Sequence, residues 1–132
     1  MLVPVTALYA VILTLLLMVL AINVTVHRRR LKVSLGAGTD PLMMRMIRIH
    51  GNAAEYIPIA LLLMLVYELN GGSHAALHVC GGAMVLGRVL HAAGVWGSNA
   101  PNSGRVLGQA LTWLAILALA AMNLVKVLRA VT

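Results

Sequence analysis

Phenylalanine is absent from this sequence of 132 residues, and only 10% of the residues are Asp, Glu, Lys or Arg. Soluble domains usually carry roughly 25% charged residues. Here 61% of the residues are hydrophobic, and only three are acidic. The composition therefore excludes an ordinary soluble domain and indicates an integral membrane protein, whose length suits a single domain over residues 1–132.

Cysteine and aromatic residues are also scarce. Cys80 is the one cysteine, so an intrachain disulfide is excluded, and a small buried side chain is expected at this position. Aromatic residues make up 4% of the sequence, which offers no stacking platform for nucleic acid bases despite a formal net charge of +7. His74 and His78 are spaced i, i+4, but they have no obvious third ligand, so no metal site is expected.

Long apolar segments dominate the sequence. They cover residues 3–26, 44–69, 74–96 and 106–128. A helix over the first segment would span roughly 36 Å at about 1.5 Å per residue, enough to cross a bilayer. A signal peptide is the alternative for this segment, but its positive flank follows the apolar run, and no small-residue cleavage site precedes the arginines. The pattern predicts an all-α integral membrane bundle of four helices.

Basic residues are concentrated after the first apolar segment. They are Arg28, Arg29, Arg30, Lys32, Arg45 and Arg48. Loop 1, which follows the first span, and loop 3, which follows the third, lie on the same side of the membrane, whereas the NGGS turn between the second and third spans has no cation. Cytoplasmic loops carry an excess of Lys and Arg. We therefore expect loops 1 and 3 in the cytoplasm and both termini outside, in the periplasm of a bacterium.

Polar residues enter the second apolar segment along one side of the predicted helix. At roughly 100° per residue, their side chains fall within about 100° of one another. This polar stripe consists of Arg45, Arg48, Asn52, Glu55 and Tyr56. A charged side chain in the apolar region costs on the order of 3 kcal/mol, so such groups are retained when they are paired or used. Glu68, near the outer end of the same segment, is expected to extend to the membrane interface.

Two interpretations of the polar stripe remain open. Arg48 and Glu55 are nearly two turns apart, so Asn52 could bridge them, and the stripe would then be a packing device. Alternatively, the stripe faces a neighbouring helix and binds a ligand. The carboxylate suits an ammonium, the guanidinium suits a carboxylate, and the amide suits either. The complementary ligand is small, zwitterionic and peptide-like.

The stripe lies in the sequence RIHGNAAEYIP. Its frame, Arg-x-x-x-Asn-x-x-Glu-Tyr-x-Pro, resembles the second helix of the MAPEG family, the membrane-associated proteins of eicosanoid and glutathione metabolism. The layout of four spans is similar to that family over the whole chain, which looks most like a bacterial member. The resemblance implies a homotrimer in the inner membrane, with glutathione as co-substrate between subunits near the cytoplasmic side.

The resemblance also implies roles for individual residues. Four side chains of the second helix hold glutathione in the family, and they match Arg48, Asn52, Glu55 and Tyr56. A basic residue at the end of the first helix reaches the site from the neighbouring subunit. Arg28 and Arg29 could take this role, and Arg28 is the match we favour.

Two further arginines and a histidine match positions of the family. Arg105 corresponds to the arginine at the start of the fourth helix that stabilises the glutathione thiolate in several members, although the loop before it is shifted. Arg88 matches the frame of the third helix. His91 lies near a position where characterised members often carry a tyrosine, and a ligand contact or a packing role is open for it.

The function implied by the resemblance is that of a glutathione transferase or peroxidase. Its second substrate would be an apolar electrophile or a lipid hydroperoxide that enters from the membrane. A thiol with a pKa near 8.5 is mostly protonated at pH 7, and a guanidinium in a low dielectric favours the nucleophilic thiolate. The alternative is a non-catalytic lipid-binding or scaffold protein of the same fold, which the missing tyrosines of the third helix would suit.

Overall fold

A computed structural model describes residues 2–98 and 100–132. The helices are, in chain order, α1 (Pro4–Leu31), α2 (Pro41–Leu69), α3 (His74–Gly97) and α4 (Ser103–Val131). All four are long and apolar enough to cross a membrane. The predicted all-α membrane fold of four helices is therefore confirmed.

Short polar side chains cap three of the helices at their N-termini. Asp40 caps α2, because its carboxylate accepts a hydrogen bond of 2.7 Å from the backbone N–H of Met43. Pro41 occupies the first turn, where it sacrifices no helical hydrogen bond. Ser73 and Asn102 cap α3 and α4 in the same manner. These caps explain why α2 and α4 begin before the apolar segments that the hydrophobic pattern marks.

The first helix continues past its apolar segment and through the basic cluster. Arg28, Arg29 and Arg30 lie in its last turn, where cations complement the negative end of the helix dipole. Lys32 then adopts a left-handed backbone conformation with φ of 54°, which ends the helix. The cationic end of α1 is therefore part of the helix and is not a flexible loop.

Glycines allow α3 and α4, the most extensively packed pair of helices, to approach closely. A Cβ atom on Gly87 of α3 would lie 2.9 Å from the carbonyl oxygen of Gly108 on α4. A Cβ atom on Gly108 would lie 2.6 Å from the carbonyl oxygen of Gly87. Real side chains do not tolerate such distances, so both positions require glycine at this backbone separation.

The apolar core extends along the whole bundle. At one end it contains residues of all four helices, including Leu13, Ile57, Met84 and Ala115. At the other end it includes Cys80, which is buried and free, as expected. The outward faces of α1 and α4 expose large aliphatic side chains, for which lipid or another subunit is the suitable environment.

The expectation that Glu68 extends to the membrane interface is wrong. Glu68 is only 5% exposed, and its carboxylate accepts hydrogen bonds from the backbone N–H groups of Val5 at 3.0 Å and Thr6 at 2.7 Å. The residue before α1, Val3, provides no side-chain cap. Glu68 of α2 therefore caps α1 across the bundle and places a negative charge at the positive end of that helix. His74 lies 3.4 Å from the same carboxylate.

Replacing Glu68 by Gln should lower the free energy of unfolding by about 1–2 kcal/mol, because a charged cap becomes a neutral one with a single acceptor oxygen. The measurement is the midpoint of denaturation in mixed micelles without ligand. Glu55 is the matched control, since it is exposed and without an ion pair in the described chain, so Glu55→Gln removes the same charge without removing a cap and should not lower that midpoint. Equal midpoints for both variants would contradict the capping role.

Candidate functional site

A polar cavity of about 190 Å³ lies where the start of α2, the end of α3 and the start of α4 meet. Its lining consists of Met44, Arg45, Arg48, Asn52, His91, Val95, Ser98 and Arg105. Three of these side chains are guanidinium groups, and none carries a carboxylate. The cavity is therefore suited to the anionic or carbonyl-rich part of a ligand.

A second, larger space of about 460 Å³ runs along α4 beside the polar cavity. It shares Asn52, His91 and Arg105 with that cavity. The remainder of its lining is Tyr56, Pro101, Val106, Gln109, Ala110 and Trp113. We call this space the α4 groove. A ligand in the polar cavity would thus lie next to a site that accepts apolar groups.

Arg105 occupies the junction of the two spaces. Asn102 fixes the start of α4, because its side-chain oxygen accepts a hydrogen bond of 3.0 Å from the backbone N–H of Arg105. The amide nitrogen of Asn102 donates to the carbonyl oxygen of Gly94 on α3 at 2.7 Å. The cap therefore joins α3 to α4 and sets the place at which the Arg105 side chain begins.

The structure brings five of the predicted site residues together. Arg48, Asn52, His91 and Arg105 line the polar cavity, and Tyr56 joins Asn52 in the α4 groove. The phenolic oxygen of Tyr56 accepts a hydrogen bond of 3.1 Å from the indole N–H of Trp113. The tyrosine O–H is therefore free to act as a donor toward a ligand.

Glu55 and Arg28 line neither the polar cavity nor the α4 groove. Glu55 is exposed, and in the described structure it forms no ion pair with Arg48. This result removes the main support for the stripe as an internal packing device. Arg28 donates to the backbone carbonyls of Ser34 at 3.4 Å and Gly36 at 2.8 Å. Glu55 or Arg28 would therefore reach a ligand only if that ligand extends beyond the polar cavity or lies between two subunits.

Arg88 is a buried and extensively hydrogen-bonded residue of the bundle, and the sequence alone does not assign its role. It is 2% exposed, and its guanidinium lies 5.4 Å from the centre of the Tyr56 ring. Its N–H groups donate to the Thr112 hydroxyl at 2.9 Å, to the Asn52 side-chain oxygen, and, at 3.4 Å each, to the Gly108 carbonyl and the Gln109 side-chain oxygen.

All the hydrogen-bond partners that Arg88 has among the described residues are neutral. A buried cation without partners would be strongly unfavourable, and here oriented dipoles and the face of an aromatic ring take the place of a carboxylate. The close approach of Gly87 and Gly108 brings the α4 acceptors within reach of this α3 side chain. A sequence signal did exist, because an ionisable residue inside a membrane span marks a functional position by default.

Comparison with known proteins supports the relationship suggested by the polar stripe. The model of the MAPEG family matches residues 6–125. The inner membrane protein YecN of Escherichia coli strain K12 is 41% identical over 120 residues, which cover 91% of this chain and 90% of YecN. YecN of E. coli O6:H1 strain CFT073 gives the same identity and coverage.

Proposed function

The chain belongs to the MAPEG family, and we propose that it is a glutathione-dependent membrane enzyme that conjugates apolar electrophiles or reduces lipid hydroperoxides. One observation carries the proposal. Arg105 lies at the junction of a cation-lined polar cavity and a groove with apolar walls. A thiolate beside Arg105 would therefore face the space in which an apolar substrate binds.

The charges of the polar cavity suit the carboxylates of glutathione. Arg45 and Arg48 lie at the end of the cavity that belongs to the first turns of α2. The Nε of Arg45 is buried and finds no acceptor within the described chain. A buried donor of this kind is stabilised when a ligand supplies an acceptor, and a carboxylate forms the stronger, charge-assisted contact.

The chemistry proceeds through the thiolate. The thiol proton passes to solvent, and the guanidinium of Arg105 stabilises the sulfur anion. In conjugation, the sulfur forms a bond to an electrophilic carbon, and the leaving group departs with the electron pair of its bond. In peroxide reduction, two glutathione molecules are oxidised to the disulfide, while the hydroperoxide becomes an alcohol and water.

Glu55 and Arg28 would contribute to this function when subunits assemble into a homotrimer. Glu55 is exposed on a membrane helix, where an unused charge costs on the order of 3 kcal/mol. A homotrimer would cover it, and Arg28 of a neighbouring subunit would then approach the ligand. The mass of the protein in detergent should be three times that of the chain. A stable, active monomer would contradict this assembly.

The function is tested by a thiolate absorbance titration of the purified protein with glutathione. We expect a saturable signal, accompanied by proton release. S-methylglutathione is the control, because it should compete for the site without giving the signal. Glutathione that binds but stays protonated would favour the non-catalytic alternative, and the absence of any binding would reject the proposal.

We propose that the protein lies in the inner membrane, because its relative YecN is an inner membrane protein. We expect loops 1 and 3 in the cytoplasm and both termini in the periplasm, because the basic cluster follows α1. Reporter fusions within loop 1 at Gly38 and after Thr132 should therefore report opposite compartments. A periplasmic signal from Gly38 would reverse this orientation.

A further inference from the structure

We propose that Arg88 is a positioning residue that orients the side-chain amides of Asn52 and Gln109, so that both present N–H groups to the ligand. Gln109 thereby joins the residues that contact the ligand. The identity of that ligand rests on the proposed function, whereas the orientation of the amides can be tested without it.

The chemistry of the two side chains determines the orientation. A guanidinium can only donate hydrogen bonds, so only the oxygen of an amide can face it. Arg88 donates to the side-chain oxygens of Asn52 and Gln109. The amide nitrogens must therefore point elsewhere. The nitrogen of Gln109 is buried and has no partner within the described chain.

Both amides lie where a ligand would bind. Asn52 lines both the polar cavity and the α4 groove, whereas Gln109 lines the α4 groove alone, so Gln109 would meet the thiol end of glutathione where it reaches that groove beside Arg105. A flipped amide would place N–H groups against the guanidinium and leave a cation without its acceptor. Arg88 itself cannot move away, because Thr112 and the Gly108 carbonyl hold it on the α4 side. The donor character of the site is thus fixed before the ligand arrives.

A lining of donors has a consequence for the ligand. The two amide nitrogens add to the guanidinium groups of Arg45, Arg48 and Arg105, so the site offers hydrogen bonds to acceptors from several directions. Peptide carbonyls, carboxylates and a thiolate fit this lining. An ammonium does not, so the ammonium of glutathione must point out of the cavity, toward the exposed face of α2.

Isosteric acids test the orientation through binding. Asn52→Asp and Gln109→Glu keep the shape and the contact with Arg88 but replace the N–H donors with acceptors. Each should weaken glutathione binding by roughly tenfold or more, and by more than Asn52→Ala or Gln109→Met does. Isothermal titration calorimetry in detergent gives the affinities. If Asn52→Asp and Gln109→Glu bind glutathione as tightly as the wild type does, the proposal is wrong.

The ligand-free protein provides a separate test. Asn52→Leu removes the amide without adding a charge, so the buried guanidinium of Arg88 loses an acceptor and the melting temperature should fall relative to the wild type. A rise would show that an N–H group of Asn52 faces Arg88, because the substitution would then relieve a contact between two donors. If the wild type binds no glutathione, the proposed function fails, and this measurement still decides the orientation.

The action of Arg88 through the amides is tested by a double-mutant cycle. Arg88→Lys should weaken glutathione binding roughly tenfold in the wild-type background. In the background of Asn52→Ala with Gln109→Met, the loss should be less than about threefold, because the introduced ammonium has no amides left to misplace. Equal losses in both backgrounds would overturn the positioning role. If Arg88→Lys does not fold, the isosteric acids decide the proposal alone.

Discussion

Replacing Arg105 by Leu should reduce turnover with chlorodinitrobenzene roughly 100- to 1000-fold, the effect of removing one preorganised group that stabilises a developing or reacting anion. Glutathione affinity should fall only a few-fold, because Arg45, Arg48 and Asn52 still line the polar cavity. Turnover should fall much more than glutathione affinity, because Arg105 lies at the junction with the α4 groove, where the sulfur would react.

The thiolate titration shows whether the loss arises at the expected step. Arg105→Leu should bind glutathione without the thiolate absorbance, whereas Arg105→Lys, the matched control, should retain part of the signal. The capping contact to the Arg105 backbone N–H does not involve the side chain, so both variants keep the start of α4. If thiolate formation persists in Arg105→Leu, another cation has this role, and Arg48, which lines the same cavity, is the next candidate.

The fold was accessible from sequence because its determinants are local. Uninterrupted apolarity predicts helices that cross a membrane, and Asp40 followed by Pro41 predicts the start of α2. The polar stripe was equally local, since a helix of known periodicity places Arg48, Asn52 and Tyr56 on one side. The structure accordingly places these three residues around two adjoining spaces.

The contacts of Glu68 and Arg88 could not be predicted in this way. Glu68 bonds to Val5 and Thr6, which are more than 60 residues away in sequence, and nothing near Glu68 in the chain indicates that α1 lacks a cap of its own. Arg88 depends on acceptors from α2 and α4, and it reaches Gly108 because two glycines bring the helices together. Both arrangements follow from the packing of the helices and are absent from any single segment.

Gln109 could not be identified from sequence for the same physical reason. A glutamine near the start of a membrane helix has several ordinary roles, including contacts at the interface. Its amide becomes informative only when one end is occupied by Arg88 and the other is buried without a partner in the described chain. Sequence identifies the charged members of a site more easily than the neutral ones, because charge in an apolar span already requires an explanation.

Replacing Glu55 by Gln should weaken glutathione binding roughly 10- to 150-fold, the loss of about 1.5–3 kcal/mol for one charge-assisted contact. Glu55 is exposed and has no ion pair within the described chain, so its carboxylate is available to a ligand. No described residue that lines the polar cavity carries a carboxylate, so the ammonium of glutathione must find its anion outside the cavity.

A comparison of ligands assigns the effect of Glu55 to the ammonium. The wild type should bind glutathione much more tightly than N-acetylglutathione, which lacks the positive charge, and Glu55→Gln should bind the two ligands with similar affinity. Glu68→Gln is the matched control, since it removes the same charge from a capping position and should lower stability without altering this preference. If Glu55→Gln leaves glutathione affinity unchanged within about twofold, the carboxylate does not contact the ligand. The polar stripe would then serve packing between subunits, and the non-catalytic scaffold would become the better account of the fold.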